Sequence, residues 1–433
     1  MSRGNDASPD GIHMITLDPA RVGNAVDPSK RPYRWIALML CWLAFTMTSV
    51  DRSTWGPASV FVGEDLGVPL ASLGLFATFY YIGYVVSNAG SGFLTDKVGG
   101  RLLISLSLMG AGASMMFFGS TTSPAIGMAI QAVIGLFAGA EYAAGIKLIS
   151  SWFRPEELGK AMGIYTSATS LGVVVANTAV PYMIQHYSWH ASYLLFGGIS
   201  IVAGVVCYLI LRPGPVVSKT THHAEGRSVL RELARNKNLL LLALAGFGGF
   251  WGTYGFITWS NALMIKGHGI DPVVAGGIVA LYAALGVLGK PLIGWIADKF
   301  NGARRVPAMV VLGGFSVMLV VFGLLDNAVA FFIAAPLLGL GAYCYLPLIV
   351  ALVPRLVSSS VLGTAAGMTN AMWQIGSVLV PLAVGAVFAA TNNSFMAALI
   401  TLAAGPFLGM IIMYFVNERP DDVEIIVKAE GKA

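Results

Sequence analysis

The feature that most limits what this chain can fold into is its succession of apolar runs, each about 20 residues long, the length of helix that crosses a hydrocarbon core. Twelve can be counted, near 35–62, 71–96, 101–120, 124–150, 160–184, 191–212, 239–265, 272–297, 306–325, 329–353, 361–389 and 394–416. Of the 433 residues, 56% are hydrophobic and only 11% charged, far too few charges to cover a soluble surface of that size. The 52 glycines suit membrane helices that pack closely. Cys41, Cys207 and Cys344 lie far apart inside apolar runs and read as small buried hydrophobes, neither a disulfide framework nor a metal site. No basic strip with interleaved aromatics exists, which excludes nucleic-acid binding. The expected class is an all-α integral membrane protein.

The basic residues orient the runs. The loops between runs 2–3, 4–5, 6–7, 8–9 and 10–11 hold 14 of the 26 Lys and Arg, and the opposite set holds Lys266 alone. By the positive-inside rule both tails are expected in the cytoplasm. Residues 1–32 read as a polar tail, without the apolar core that a signal peptide places behind its basic start. The expected division is a six-helix bundle over 33–212, a linker over 213–238, a second bundle over 239–416 and a tail over 417–433. In the linker, Arg227, Arg231 and Arg235 recur every four residues. That spacing suits either a basic helix on the membrane surface or a solvated connection.

Two internal repeats support a two-fold organisation. After the second run stands Gly92-Phe-Leu-Thr-Asp96-Lys97-Val-Gly99-Gly-Arg101. A relative returns as Gly294-Trp-Ile-Ala-Asp298-Lys299-Phe-Asn-Gly-Ala-Arg304-Arg305, with the two aspartates 202 residues apart. In both, a glycine lies one helical turn before the aspartate and cations follow it. A small residue there lets helices approach, and the aspartate can bond the turn's amides or a basic partner, so the pair reads as two conformational latches. The stretch Leu158–Gly172 can likewise be laid on Leu362–Gly376 at an offset of 204, pairing Thr166 with Asn370 and Ser170 with Gln374. Two six-helix halves around a cleft is the arrangement expected for alternating access.

The loop sequence resembles the signature G-x-x-x-D-[RK]-x-G-[RK]-[RK] of the major facilitator superfamily. Gly100 stands where a basic residue is usual, and the second copy carries an insertion. The resemblance implies twelve transmembrane helices in two pseudo-symmetric six-helix halves.

Five ionisable residues stand inside the apolar runs: Asp51, Arg52, Glu141, Lys147 and Lys290. Each needs a partner or an aqueous cavity at that depth. Successive helical residues diverge by about 100°. Hence either Arg52 faces substrate while Asp51 faces a neighbouring helix, or the two belong to a structural ion pair within the N-terminal half. Glu141 lies among small residues that would let it share a proton with Asp51, or pair with Arg52. Lys147 is expected to snorkel to the membrane surface. No acidic residue in the second half's runs could neutralise Lys290, which makes it a candidate ligand for a substrate carboxylate.

Asp51-Arg52, Glu141, the stretch Ser151–Ala161, Ile257-Thr-Trp259 and Asn370 resemble the anion:cation symporter branch of that superfamily. The resemblance implies that Asp51 and Glu141 handle protons while Arg52 and Asn370 hold an organic anion. The basic residue usual two turns ahead of the glutamate is absent here, with Ile134 near its place. Lys290-Pro291 resembles the Arg-Pro of proton-coupled monocarboxylate transporters. Tyr80, Tyr81, Tyr84, Trp251, Tyr254, Asn261, Trp373 and Gln374 are expected along the cleft. The reading is a monomeric, proton-coupled symporter of a small organic anion (mono- or dicarboxylate, sugar acid or aromatic acid) in a prokaryotic inner membrane, without cofactor or metal. A proton-driven exporter of apolar or cationic compounds, an anion exchanger and a uniporter are the rivals. A membrane enzyme is disfavoured, since no nucleotide loop, metal cluster or nucleophile–base pair is present.

Overall fold

The computed structural model describes residues 32–215, 231, 233–299, 304–357 and 361–418. Among them, twelve helices are long and apolar enough to cross a membrane. In hydrocarbon no water satisfies the backbone, so each apolar run closes its own hydrogen bonds as a helix. The spans are α1 (Tyr33–Asp65), α2 (Gly74–Val98), α3 (Gly100–Phe118), α4 (Pro124–Ser150), α5 (Pro155–His186) and α6 (Trp189–Ile210). The second six are α7 (Lys237–His268), α8 (Pro272–Lys299), α9 (Arg305–Gly323), α10 (Ala328–Val350), α11 (Leu362–Ala390) and α12 (Phe395–Tyr414).

Each helix follows its apolar run to within a few residues, and the departures have local causes. α1 breaks at Thr54 into Tyr33–Ser53 and Trp55–Asp65, because Pro57 has no N–H to give the Ser53 carbonyl. α5 starts earlier than its run, at Pro155, where proline suits the first turn. The tenth run ends at Val350 and leaves a separate turn, Val353–Leu356. Nearly all of both tails and most of the expected linker, Arg227 included, lie outside the described residues.

In the first half α2 packs on α4, α3 on α4 and α6, and α1 on α5; in the second, α8 packs on α10, α9 on α10 and α12, and α7 on α11 and α12. The tightest approach is the same in both. A side chain at Gly135 would meet the Tyr80 carbonyl at 1.9 Å, and one at Gly339 would meet the Tyr282 carbonyl at 1.9 Å. Backbone cannot yield there, so only glycine lets α4 close on α2, and α10 on α8. These pairs stand at the offsets of the two sequence repeats.

The halves touch along α2–α11 and α5–α8, with the end of α1 against α7. Contact is closest at the ends remote from the Asp96 loop. There Gly74 packs on the Pro381 carbonyl and Gly276 on that of Asn177. Asn261 Nδ2 donates to Asn177 Oδ1 at 2.8 Å, Thr78 Oγ1 to the Val378 carbonyl at 3.1 Å, and Lys266 pairs with Glu64. Toward the Asp96 loop the equivalent Gly163 and Gly367 have open space where a side chain would be. The cleft therefore flares toward the motif face and is sealed at the far face.

Candidate functional site

Arg52 lies just before the break of α1, where the two halves meet. Its guanidinium stands 5.0 Å from the Tyr254 ring, contributed by the opposite half, and Nη2 donates to Ser49 Oγ at 3.2 Å. Tyr80, Tyr81 and Tyr84 surround it. Arg52, Trp55, Tyr80, Tyr81 and Gln131 line a cavity of about 10 Å³, room for about one water. Arg52 Nε and the Tyr80 hydroxyl are buried without a partner. Among the described residues Arg52 has no acidic partner.

Lys290 projects from α8 across to α5. Its Nζ donates to Thr169 Oγ1 at 2.8 Å, Ser170 Oγ at 3.0 Å and the Thr166 carbonyl at 3.4 Å. The ammonium lies 4.9 Å over the Tyr343 ring, whose hydroxyl is buried without a partner. No carboxylate pairs with it among the described residues. Ser49 donates to the Thr169 carbonyl at 2.8 Å. Arg52, Ser49, Thr169 and Lys290 thus form one chain from the first half to the second, and the two cations repel one another. Sequence reasoning missed Ser49, Thr169 and Tyr343. All are ordinary in apolar helices, and only the crossing of α5 by α8 gives them a role.

The two carboxyl groups behave differently from the shared pair that the sequence allowed. Asp51 is 3% exposed and accepts from Ser200 Oγ of α6 at 2.9 Å. Glu141 is fully buried and accepts from the Tyr165 hydroxyl of α5 at 3.0 and 3.1 Å. Each is held by a hydroxyl on a different helix, and neither pairs with Arg52. The hundred-degree divergence of adjacent helical residues separates Asp51 from Arg52. Tyr165 fills the space in which Glu141 was expected to meet α1, stacking on Phe45 at 4.7 Å.

Lys147, expected to snorkel, is 42% exposed and forms an ion pair with Asp96, tying α4 to the first loop motif. Arg101 of that motif donates from Nε to the Tyr208 carbonyl at 2.7 Å, while Gly92 and Lys97 are exposed. In the second motif, α8 runs to Lys299, but the surroundings of Gly294 and the side chains of Asp298 and Lys299 are not among the features described. The amides of Arg304 and Arg305 donate to the Glu418 carboxylate at 2.7 and 3.4 Å, and Arg355 pairs with it at 2.8 Å. That carboxylate meets the positive start of α9, a stabilising place for an anion.

The remaining candidates divide. Tyr80, Tyr84 and Tyr254 gather round Arg52. Asn370 Nδ2 approaches Asn88 Oδ1 to 3.5 Å across α11 and α2, a contact the sequence did not suggest. Gln374 is buried and accepts from Ser377 within its own helix. Trp251 is turned away from the cleft: its indole N–H donates to the Thr401 carbonyl at 2.8 Å, and the ring fills the seam with α12. Cys41, Cys207 and Cys344 are buried free thiols. Among the described residues no cluster of His, Cys, Asp or Glu has metal-site form.

Two pseudo-symmetric helical halves enclosing a polar cleft, open on one face and sealed at the other, define a membrane transport protein. The chain belongs to the major facilitator superfamily, whose profile, described as "Major Facilitator Superfamily", matches residues 41–381. It is 23% identical to the D-galactonate transporter of Escherichia coli O6:H1, over 90% of this chain and 96% of that one. It is also 23% identical to the probable galactarate/D-glucarate transporter GudP of Bacillus subtilis strain 168, over 93% and 95%. The membrane sensor protein UhpC of Escherichia coli K12 is 25% identical over 67% of this chain and 70% of its own. In fold, it is similar to a bacterial homologue of the human lysosomal transporter Spinster, with TM-score 0.71 at 16% identity, covering 89% of this chain and 96% of that one.

Proposed function

We propose that this protein carries a small organic anion across a bacterial inner membrane together with protons, by alternating access. The observation that carries the reading is the pair Arg52 and Lys290, one from each half, linked through Ser49 and Thr169 and without an acidic partner among the described residues. An anion between them forms charge-assisted bonds to both halves, which favours an occluded state and lowers the repulsion between the cations. The names of the relatives fit: D-galactonate and galactarate/D-glucarate are sugar acids.

Ionisable groups inside a bilayer mark ion and proton paths, and Asp51 and Glu141 are the buried carboxyl groups among the described residues. In this reading the motif face is cytoplasmic, following the lysines and arginines of the loops, both termini lie on that side, and the cleft described above is open to the cytoplasm. The Asp96–Lys147 pair acts as a latch within the first half.

The test is uptake by proteoliposomes of mono- and dicarboxylates, sugar acids and aromatic acids, with and without an inward proton gradient, for wild type and Lys290→Ala. Accumulation of an acid that needs both the gradient and Lys290 supports the reading. If no acid accumulates under any gradient, the cations are structural and export of an apolar or cationic compound takes its place.

A further inference from the structure

The cleft holds two cations and no anion to match them. Asp51 and Glu141 are directed to Ser200 and Tyr165, so neither offsets the charge of Arg52 or Lys290. A single monocarboxylate would leave one positive charge unmatched in a site of low polarity, an unfavourable state for a carrier that must close around its cargo. The two ends of the site are also chemically alike. At one end the guanidinium of Arg52 has the Tyr80 phenol beside it, and at the other the ammonium of Lys290 lies over the Tyr343 ring. Both phenol hydroxyls are buried and without a partner. Each end therefore offers one cation and one uncommitted O–H donor, the set that a carboxylate accepts.

We propose that the preferred cargo is a dicarboxylate, one carboxylate bonded to Arg52 and Tyr80 and the other to Lys290 and Tyr343. This rests on the organic-anion reading above and narrows it to a doubly charged, two-ended substrate. The second carboxylate takes over the bonds that Lys290 makes to Thr169 and Ser170, releasing α8 from α5 when cargo binds. A monoanion that reaches Arg52 alone leaves that crossing as it is. A phosphate monoester also carries two charges, but at one end, and so satisfies only one cation.

The experiment is binding by the purified full-length protein of three six-carbon probes, D-glucarate, D-gluconate and D-glucose 6-phosphate, followed by tryptophan fluorescence and by competition for uptake. The same comparison is made with C4 and C5 dicarboxylates and their monoacid counterparts. In wild type the dicarboxylate is expected to bind about thirtyfold more tightly than its monoacid, the scale of one charge-assisted partner. In Lys290→Gln the two should fall within about threefold of each other through loss of the dicarboxylate's affinity alone, and in Tyr343→Phe the preference should shrink severalfold. Monoacids binding as well as diacids in wild type overturns the proposal while leaving an organic-anion carrier standing, and so does tightest binding by the phosphate ester. Because the wild-type ranking decides the matter, a Lys290 variant that fails to fold does not blunt the test. Failure of every acid to bind removes the organic-anion reading, and this proposal with it.

Discussion

The α5–α8 and α2–α11 crossings are equivalent places where the two halves meet, yet one is charged and the other neutral. At the 202-residue spacing of the loop motifs Lys290 corresponds to Asn88, and at the 204-residue offset of the other repeat Thr166 corresponds to Asn370. The backbone scaffold is repeated, down to the approaches at Gly135 and Gly339. The chemistry is not. Lys290 makes three bonds to α5, whereas Asn88 and Asn370 reach only 3.5 Å and Asn88 Nδ2 has no partner. The same asymmetry appears at Glu141, whose counterpart at the 204 offset is Tyr345, bonded to Thr253. Symmetry supplies a pair of hinges, and substitution makes one of them responsive to an anion.

The strongest way to break this comparison is to make the crossings chemically equal. Lys290→Asn puts an amide on both crossings and removes the charge, together with the bonds that the longer side chain makes to Thr169 and Ser170. Removing one member of a buried charge-assisted contact costs about 2–5 kcal/mol, and kcat/KM for anion uptake is expected to fall by at least about thirtyfold. Initial rates in proteoliposomes decide it, and a loss within threefold would mean that the charge difference between the crossings carries no function. Next comes Glu141→Gln. The amide oxygen still accepts from Tyr165, but the group no longer exchanges a proton. A pH gradient of about one unit supports about tenfold accumulation per coupled proton. The variant should lose that accumulation and keep substrate exchange between equal concentrations within about threefold, as expected when only the proton-exchanging group is lost. Full accumulation by the variant would remove Glu141 from the coupling.

How far the sequence reaches can be judged from these same residues. Span positions were legible because hydrocarbon imposes one length on every crossing helix, and the two-half plan because the repeats survive in Asp96/Asp298 and Gly163/Gly367. The isolated charges Arg52 and Lys290 were legible because any charge at that depth stands out. Rotation was not. A membrane helix is apolar on its lipid face as well as its packed face, so the period that would orient a soluble helix is lost. That is why Trp251 was placed in the cleft when it packs on α12, and why Glu141 was left open to Asp51 or Arg52 when each carboxyl group meets a hydroxyl on another helix. Lys147 was placed at the membrane surface by its position near the end of α4, but its partner there, Asp96, was not legible because it lies 51 residues away on another helix.

A second contrast lies within the far-face seal. Asn261 and Asn177 are each 1% exposed and joined by a neutral bond between the halves. Asn261→Leu removes the donor and leaves Asn177 Oδ1 buried without it, a cost of about 1–3 kcal/mol to the sealed state. The far face should open more often, and alkylation of a cysteine placed at Thr258 should quicken about fivefold or more. An unchanged rate would show that the glycine contacts hold the seal unaided.

The smallest effect is expected at the other polar link of that seal. Lys266 and Glu64 also join the halves, and as a formal ion pair they look like the stronger lock. Their side chains are 43% and 58% exposed, however, so water and salt screen the attraction and two long side chains must be ordered to make it. Such pairs contribute about 0–1 kcal/mol. Lys266→Ala should therefore raise alkylation at the same cysteine no more than about twofold, and half-molar salt applied to the wild type should do about as much. If Lys266→Ala opened the far face more than Asn261→Leu, charge rather than buried geometry would hold the gate, and the division proposed here would be reversed: neutral contacts to seal the protein, and charge reserved for its cargo.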